Sequence, residues 1–241
     1  MVNLQKIMNE GVHISSSGTT GEPKTIFRTP DNLVHCNEAA IDMSKLTRWS
    51  KIYTCARLTH AGGLLVHTLP AYTLGCDIKI TDFNAFTFLK DSADYTHFFL
   101  PPKMCEAIIN TKNWKDCDLS GKTVVMGSDP IPWRHISDFV DKGATVIPNW
   151  GMSEVGPCAI NTTFRNNDDV LNYMDAACQN GMLPLVGDTF YVDHKIVDDQ
   201  LYIKSPMCVY DGWFATGDLV EKGFKNPMLR YYPIYYYVGR L

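Results

Sequence analysis

Strand-like and helix-like segments alternate between residues 51 and 148, and this alternation constrains the fold more than any other feature. Strand patterns cover 51–58, 77–81, 96–100, 123–126 and 144–148, and helical patterns fall between them at 62–74, 85–91, 102–110 and 132–141. Such an order with short turns predicts an α/β fold, in which a mainly parallel sheet carries helices on both faces. Ligands of these sheets bind where strands end, so we expect the chemistry in those loops.

The character of the sequence changes after about residue 160. Residues 195–197 and 201–203 form two short apolar runs around the polar turn Asp198-Asp199-Gln200, which predicts a β-hairpin. A tyrosine-rich strand is predicted at 231–238. We therefore expect two domains: an α/β unit over 1–160 that carries the main site, and a smaller, mostly antiparallel β unit over 161–241.

Composition excludes several classes of function. The 241 residues carry a formal net charge of −4, which gives no support to a nucleic-acid partner or a membrane surface. No apolar run approaches the roughly 20 residues of a membrane span, and the N-terminus lacks the apolar core of a signal peptide. The eight cysteines contain no Cys-x-x-Cys pair. Reduced thiols in a cytoplasmic protein are therefore expected, rather than a zinc site or a disulfide framework.

The run Ser15-Ser16-Ser17-Gly18-Thr19-Thr20-Gly21-Glu22-Pro23-Lys24 is dense in hydroxyls and in backbone N–H groups. Glycines let such a backbone approach a ligand closely, successive N–H groups form an anion-binding concavity, and Lys24 adds a mobile charge. A polyphosphate is the expected occupant, and a flexible linker is the alternative. The common phosphate-binding loop leads into a helix. Here Lys24 leads into a strand-like segment, so the run is predicted at the tip of a β-hairpin.

Two further motifs follow, each with an ordinary structural alternative. Asn149-Trp150-Gly151-Met152-Ser153-Glu154 lies at a predicted strand end, where an aromatic ring can stack on a purine and a carboxylate can meet Mg²⁺. Taken alone, a tryptophan such as Trp150 is more often a core residue, and a glutamate such as Glu154 is more often a solvated side chain. Trp213-Phe214-Ala215-Thr216-Gly217-Asp218 places an aspartate after a predicted glycine turn, where it can accept from two ribose hydroxyls or simply belong to that turn.

Taken together and in this order, the three motifs closely resemble those of the adenylate-forming superfamily, which includes acyl-CoA synthetases. The first run is similar to its phosphate loop, and the others to Tyr-Gly-x-Thr-Glu and Trp-Phe-x-Thr-Gly-Asp, with Trp150 for Tyr and Ser153 for Thr. The resemblance implies ATP or AMP and Mg²⁺ as cofactors. It implies a nucleotide-binding set of Ser16, Ser17, Gly18, Thr19, Thr20, Gly21, Lys24, Gly127, Ser128, Trp150, Gly151, Met152, Ser153, Asp218 and Arg240.

The resemblance also implies individual roles. Trp150 is expected against adenine, Ser153 near the α-phosphate, and Glu154 on Mg²⁺. Asp218 and Arg240 are expected at the ribose. Lys24 and Glu154 are the expected catalytic residues. His60, in Thr59-His60-Ala61-Gly62-Gly63, and Gly151 are expected beside the acyl substrate, with a structural histidine as the alternative for His60.

Family members are longer than this chain at both ends, which shapes the functional expectation. The resemblance implies ATP- and Mg²⁺-dependent adenylation of a small-molecule carboxylate, with a lid or acceptor protein acting in trans. The alternative is a non-catalytic protein that binds a nucleotide or an acyl-adenylate, and a purely structural role is a third hypothesis. A homodimer is also expected, because the face that another subdomain covers in the family would otherwise be a bare apolar patch.

Overall fold

The computed structural model describes residues 2–15, 24–179, 182–224 and 233–241. Its first ten strands are β1 Val12–Ser15, β2 Thr25–Arg28, β3 Lys51–Thr54, β4 Asp77–Ile80, β5 His97–Leu100, β6 Thr123–Met126, β7 Thr145–Met152, β8 Gly156–Asn161, β9 Leu185–Gly187 and β10 Thr189–Phe190. The remaining strands are β11 Asp193–Val197, β12 Gln200–Lys204, β13 Phe214–Phe224 and β14 Pro233–Arg240.

Helices precede and separate these strands. They are α1 Leu4–Glu10, α2 Pro30–Ser44, α3 Ala61–Gly63, α4 Leu69–Leu74, α5 Ala85–Asp91, α6 Pro102–Ile109, α7 Trp133–Asp141 and α8 Asn167–Gln179. A π-helical turn, Leu64–Thr68, joins α3 to α4, and a 3-10 turn covers Lys112–Trp114. None of the helices in the described residues is long and apolar enough to cross a membrane.

A seven-stranded sheet forms the centre of the fold, in the order β10-β8-β7-β6-β5-β3-β4. Strands β4, β3, β5, β6 and β7 pair in parallel, whereas β8 and β10 are antiparallel to their neighbours. This arrangement confirms the predicted α/β class with a mainly parallel sheet. The predicted strand at 51–58 ends earlier, at Thr54, and the strand predicted at 144–148 extends further, to Met152.

Both faces of this sheet are covered by helices, as predicted. Val124 and Met126 pack with α7 through Ile136 and Phe139, whereas Val125 faces the opposite side and packs with α2. Successive side chains of a strand point to opposite faces. A strand buried on both faces therefore reads as a continuous apolar run, like 123–126, rather than as an alternating one.

Helix α2 begins with residues that are typical of a helix start. The Thr29 hydroxyl accepts from Asn32 N at 3.2 Å, the Asn32 side chain accepts from Thr29 N at 3.2 Å, and Pro30 occupies the first turn. This capping box satisfies backbone donors that otherwise lack partners. The helix ends at Ser44, followed by Lys45 with a left-handed φ of 52°. The helical pattern predicted at 62–74 ends where expected, at Leu74, and Gly75 follows it with a left-handed φ of 71°.

Strands β1 and β2 form the predicted antiparallel hairpin, and Ser15 is paired with Thr25 at its open tip. The residues between them, 16–23, lie outside the described part of the chain. Five of the strands between Leu185 and Arg240 form a separate antiparallel sheet in the order β11-β12-β13-β14-β9. It includes the predicted hairpin of β11 and β12, with Asp198 and Asp199 at positive φ in the turn.

The sequence predictions missed β8 and α8. Strand β8 continues directly from β7 by a tight turn, so it extends the large sheet beyond its parallel part. Helix α8 packs on the same face as α7, with Val170 and Tyr173 in the shared core. Strand β10, at residues 189–190, also joins the large sheet, through β8. The division of the chain into domains at residue 160 stays a prediction.

Candidate functional site

The β1–β2 hairpin borders the candidate site, through Ser15 of β1 and Arg28 of β2. Six of the predicted nucleotide-binding residues come between its two strands in sequence and lie outside the described residues: Ser16, Ser17, Gly18, Thr19, Thr20 and Gly21. The flanking residues Ser15 and Lys24 are described, and Lys24 is exposed. The hairpin therefore brings the two ends of the predicted phosphate loop together.

His60 is fastened to the base of this loop. Its Nδ1 atom lies 2.9 Å from the carbonyl oxygen of Ser15, and Ser15 N donates to Thr59 O at 2.9 Å. Helix α3 begins at the next residue, Ala61. Thr59 and His60 therefore connect the β1–β2 hairpin to the segment that follows β3 of the large sheet. The predicted contact of His60 with an acyl substrate stays a prediction.

Residues 150–154 cover the end of β7 and the start of the turn that leads into β8. The sequence placed them after a strand end, but β7 includes Trp150, Gly151 and Met152, and β8 begins at Gly156. The cause is a close approach of the two strands: a Cβ atom at Gly151 would lie 2.6 Å from Pro157 O. Since only glycine fits there, the hairpin can fold tightly.

Asp218 joins this hairpin to the second sheet. Its Oδ2 atom accepts a hydrogen bond from Trp150 Nε1 at 2.9 Å, and its Oδ1 atom accepts from Arg240 Nε at 2.7 Å. Asp218 and Arg240 are direct partners in the β13–β14 register, and the Asp218 side chain is buried. Asp218 lies within a long strand that contains Gly217 at a φ of 79°, and not after a turn as predicted.

The surroundings of Asp218 restrain it further. Its backbone N–H donates to Thr216 Oγ1 at 3.0 Å, and that hydroxyl donates to Leu201 O at 2.8 Å. Burial and the charge of Asp218 raise the pKa of the nearby Tyr237, so this phenol stays neutral around neutral pH. Arg240 Nη2 lies 3.8 Å from the sulfur of Met152. The structure thus brings together four of the predicted residues: Trp150, Met152, Asp218 and Arg240.

Gly127 and Ser128 follow β6, next to β7. A Cβ atom at Gly127 would lie 2.9 Å from Asn149 O, and Ser128 has a φ of 80°. The Ser128 hydroxyl faces Gly62, where a Cβ atom would lie 3.2 Å from it. These residues therefore line the carboxyl edge of the parallel strands, as expected for a ligand site.

Asn149 belongs to the same edge, and the sequence reasoning assigned it no role. Its side-chain nitrogen donates to Pro157 O, but its Oδ1 atom is buried and has no hydrogen-bond partner among the described residues. A buried acceptor without a partner is costly unless a ligand or water supplies a donor. The signal available in the sequence is its position directly before Trp150 at the end of a buried strand.

Ser153 and Glu154 are held through their backbones. Ser153 O accepts from Arg28 Nη1 at 2.6 Å, and Glu154 O accepts from Val209 N at 2.9 Å. No cluster of three or more histidine, cysteine or acidic side chains suited to a metal ion occurs in the described residues. Mg²⁺ needs no such cage, because it binds through one or two carboxylates with phosphate oxygens and water. A single half-buried carboxylate, Glu154, fits that kind of site.

The chain is similar to known enzymes over most of its length. The family described as AMP-binding enzyme matches residues 12–204. A feruloyl-CoA synthase from Amycolatopsis is 29% identical over 147 residues, which are 59% of this chain and 30% of that protein. A 2-succinylbenzoate–CoA ligase from Enterococcus faecalis is 23% identical over 220 residues, 85% of this chain and 45% of that protein. The chain thus spans less than half the length of these curated relatives.

Solved structures share the fold. ATP-bound MatB from Rhodopseudomonas palustris superposes with a TM-score of 0.73 at 18% identity, over 95% of this chain and 47% of that one. Wild-type E. coli MenE with a bound analogue of OSB-AMS gives 0.70 at 17% identity, again over 95% and 47%. The family match covers well over half of this chain and confirms the resemblance drawn from its motifs. The chain belongs to the AMP-binding enzyme family.

Proposed function

We propose that this chain binds ATP and adenylates a carboxylate. In this reaction a carboxylate oxygen attacks the α-phosphorus, the bond from that phosphorus to the bridging oxygen breaks, and acyl-AMP and pyrophosphate are formed. The observation that carries the proposal is the buried Asp218 carboxylate, held by Trp150 and Arg240 beside the turn with Ser153 and Glu154. A carboxylate oriented in this way is suited to accept from vicinal ribose hydroxyls.

The adenine would lie along the edge formed by Gly127, Ser128 and the Trp150 ring. Trp150 supplies a flat face for stacking. The unpaired Asn149 Oδ1 supplies an acceptor for an exocyclic amino group, which an adenine carries. Gly127 keeps the backbone close to that amide, because any side chain there would meet Asn149 O.

The phosphates would extend from the ribose toward the hairpin tip. Ser153 offers a hydroxyl for the α-phosphate, and Lys24 offers a charge that can follow the developing negative charge. Glu154 would bind Mg²⁺, which neutralises phosphate charge when bound. The chain's own contribution is to orient these groups before the reaction, since phosphoryl transfer depends mainly on positioning and electrostatics.

The acyl group would lie near His60 and Gly151. His60 is fixed beside Ser15, at the end of β1, on the same side as the Ser128 loop. The two curated relatives are named for feruloyl and 2-succinylbenzoate groups, so we place aromatic acids first among the substrates to be tested. Coenzyme A is the corresponding first choice of acceptor.

Partners complete the proposal. We propose that a lid or an acceptor protein acts in trans, and that the chain forms a homodimer. Free thiols are found at seven of the eight cysteines, Cys36, Cys55, Cys76, Cys105, Cys117, Cys158 and Cys208, which supports the cytoplasmic location that we propose. Sedimentation at micromolar concentration tests the dimer, and a sharp monomer mass would contradict it.

The deciding experiment is ATP–pyrophosphate exchange with a panel of aryl, short-chain and amino acids. Wild-type protein should exchange with at least one acid, and Glu154→Gln should lower the rate by about 10²-fold or more, as the loss of a preorganised catalytic group does. Glu38→Gln is a matched control, because Glu38 is an exposed residue on α2. ATP binding without exchange for any acid would favour the non-catalytic alternative.

A further inference from the structure

Arg28 is the last residue of β2, the strand that follows the predicted phosphate loop, and it is completely buried. Its Nη1 atom donates to Ser153 O at 2.6 Å. Its Nη2 atom donates to Met207 O and lies 3.0 Å from the sulfur of Cys36. The Nε atom has no partner in the described part of the chain. One guanidinium therefore contacts three separate segments.

The charge of Arg28 is unusual for its location. Among the described residues no carboxylate lies within ion-pair distance of it, so backbone carbonyls and a thiol are its partners. Burial raises the pKa of Cys36 more than Arg28 lowers it, and that thiol stays neutral. A buried charge is costly unless its hydrogen bonds are well made. Arg28 therefore needs the two carbonyls, and their segments are fixed relative to it.

The segment 205–209 completes this connection. Asn32, at the start of α2, donates to Pro206 O and Cys208 O, each at 3.0 Å. Val209 N in turn donates to Glu154 O. The turn with Ser153 and Glu154 is thus fastened twice: directly by Arg28, and indirectly through a segment that Arg28 also holds.

Trp150, three residues before Ser153 in the β7–β8 hairpin, is held by other partners. Trp150 is held by Asp218, which is paired with Arg240 in the second sheet. The part of the candidate site assigned to the nucleoside therefore does not depend on Arg28. The part assigned to the phosphates and the metal lies between β2 and Ser153–Glu154, which Arg28 joins.

We propose that Arg28 is a positioning residue that fixes the spacing between strand β2 and the Ser153–Glu154 turn, and thereby selects for the polyphosphate part of the nucleotide. The proposal rests on the nucleotide site assigned above. Arg28 touches neither nucleotide nor metal; it acts through the backbones of β2 and of Ser153. Its removal should weaken phosphate binding while leaving nucleoside binding intact.

The test compares the dissociation constants of Mg·ATP and of adenosine, measured by calorimetry. Arg28→Lys keeps the charge but cannot reach two carbonyls in fixed geometry, and Arg28→Met removes the charge. We expect Mg·ATP to bind at least tenfold more weakly to both variants and adenosine to change less than twofold. The ratio of the two constants is unaffected by a fraction of unfolded protein, so a general loss of stability cannot imitate this result.

Lys122→Met is the matched control. Lys122 donates to the carbonyls of Ala93 and Tyr95, at 2.6 and 2.8 Å, before the first residue of β6. Like Arg28, it is a cation held by two backbone carbonyls. It lies at the amino ends of the parallel strands, whereas the candidate site lies at their carboxyl ends. Its loss should leave the ratio unchanged, and an equal shift in this control would overturn the proposal.

Hydrogen exchange gives a measurement without nucleotide. The amide of Val209 should lose protection in Arg28→Lys, because its acceptor Glu154 O is no longer fixed, and keep it in Lys122→Met. Unchanged ratios and unchanged protection in both Arg28 variants would overturn the positioning role. If the wild-type chain binds Mg·ATP and adenosine but catalyses no ATP–pyrophosphate exchange with any acid, that result counts against the proposed reaction alone. The two failures can therefore be told apart.

Discussion

The indole N–H of Trp150 donates to the carboxylate of Asp218 across 68 residues of sequence and at a distance of 2.9 Å. This bond connects strand β7 of the large sheet with the middle of strand β13 in the second sheet. Tyrosine, the more usual residue of the family motif, has no donor at the corresponding ring position. The substitution by tryptophan is thus tied to the orientation of Asp218 in this chain.

Trp150→Phe should weaken adenosine binding about tenfold, because a hydrogen bond to a charged group contributes roughly 1.5–3 kcal/mol. The phenyl ring still offers a face for stacking, so the loss reports the N–H group. Calorimetric titration measures it. Trp133→Phe is the control, since Trp133 also donates its N–H to one acceptor, Leu183 O, but lies on α7. Equal affinities of wild-type and Trp150→Phe would contradict the prediction.

Asp218→Asn should remove the preference for a ribose over a deoxyribose. The wild-type chain is expected to bind adenosine about tenfold more tightly than 2′-deoxyadenosine, since a charged acceptor for the hydroxyl contributes roughly 1.5 kcal/mol or more. The variant should show a preference of about threefold or less, because the neutral amide is the weaker acceptor. Asp188→Asn serves as the control: Asp188 accepts from Thr162 at 2.9 Å and lies outside the candidate site. A full preference in Asp218→Asn would exclude the ribose assignment.

Ser128→Gly should raise the free energy of unfolding by about 1 kcal/mol, because Ser128 has a φ of 80°, a conformation that costs a non-glycine residue roughly that much. Urea denaturation measures the change. Lys45→Gly gives an internal comparison at the end of α2, where φ is 52°. Both variants should gain stability, and only Ser128→Gly should alter nucleotide affinity. A loss of stability in both would show that backbone strain is not the controlling factor.

His67 and His97 predict a pH dependence of stability. Burial lowers the pKa of both, and for His67 the neighbouring His97 adds to the effect. The folded chain keeps them neutral, whereas the unfolded chain binds protons below about pH 6.5. Above that pH the two histidines therefore do not reduce the free energy of unfolding. As the pH falls below it, each histidine lowers the free energy by up to about 1.4 kcal/mol per pH unit.

His67→Gln should flatten this dependence by about 1 kcal/mol per pH unit. Urea unfolding at several values between about pH 7 and pH 5 measures the slope. His13→Gln is the control, because His13 is exposed on β1. A variant slope equal to that of the wild type would show that His67 becomes protonated in the folded chain.

Much of the architecture could be predicted because local signals were consistent. The capping box at Thr29 and Asn32 fixes the start of α2, and the apolar run at 123–126 identifies a strand buried on both faces. Strand β8 was missed because Gly156 to Asn161 contains glycine and proline, which are poor strand formers, and because its pairing depends on the close approach at Gly151.

The side-chain arrangement of the candidate site was only partly predictable. The motifs identified Trp150 and Asp218 as members of one site, but not their direct hydrogen bond, because sequence spacing carries no information on side-chain direction across two sheets. The role of Arg28 could not be predicted for a similar reason. Its sequence neighbours suggest an ordinary strand residue, and its role depends on Ser153 and Met207, which are distant in sequence.

The contact of His60 with Ser15 also fixes a tautomer. A carbonyl oxygen can only accept, so in neutral His60 the Nδ1 atom carries the proton and Nε2 presents a lone pair. A ligand group that meets Nε2 must then donate a hydrogen bond, as a phenol or an alcohol does. An ionised carboxylate has no proton to donate, so the Nε2 lone pair repels it. The histidine beside Ser15 would thus favour acids whose tail carries a hydroxyl over those whose tail carries a second negative charge.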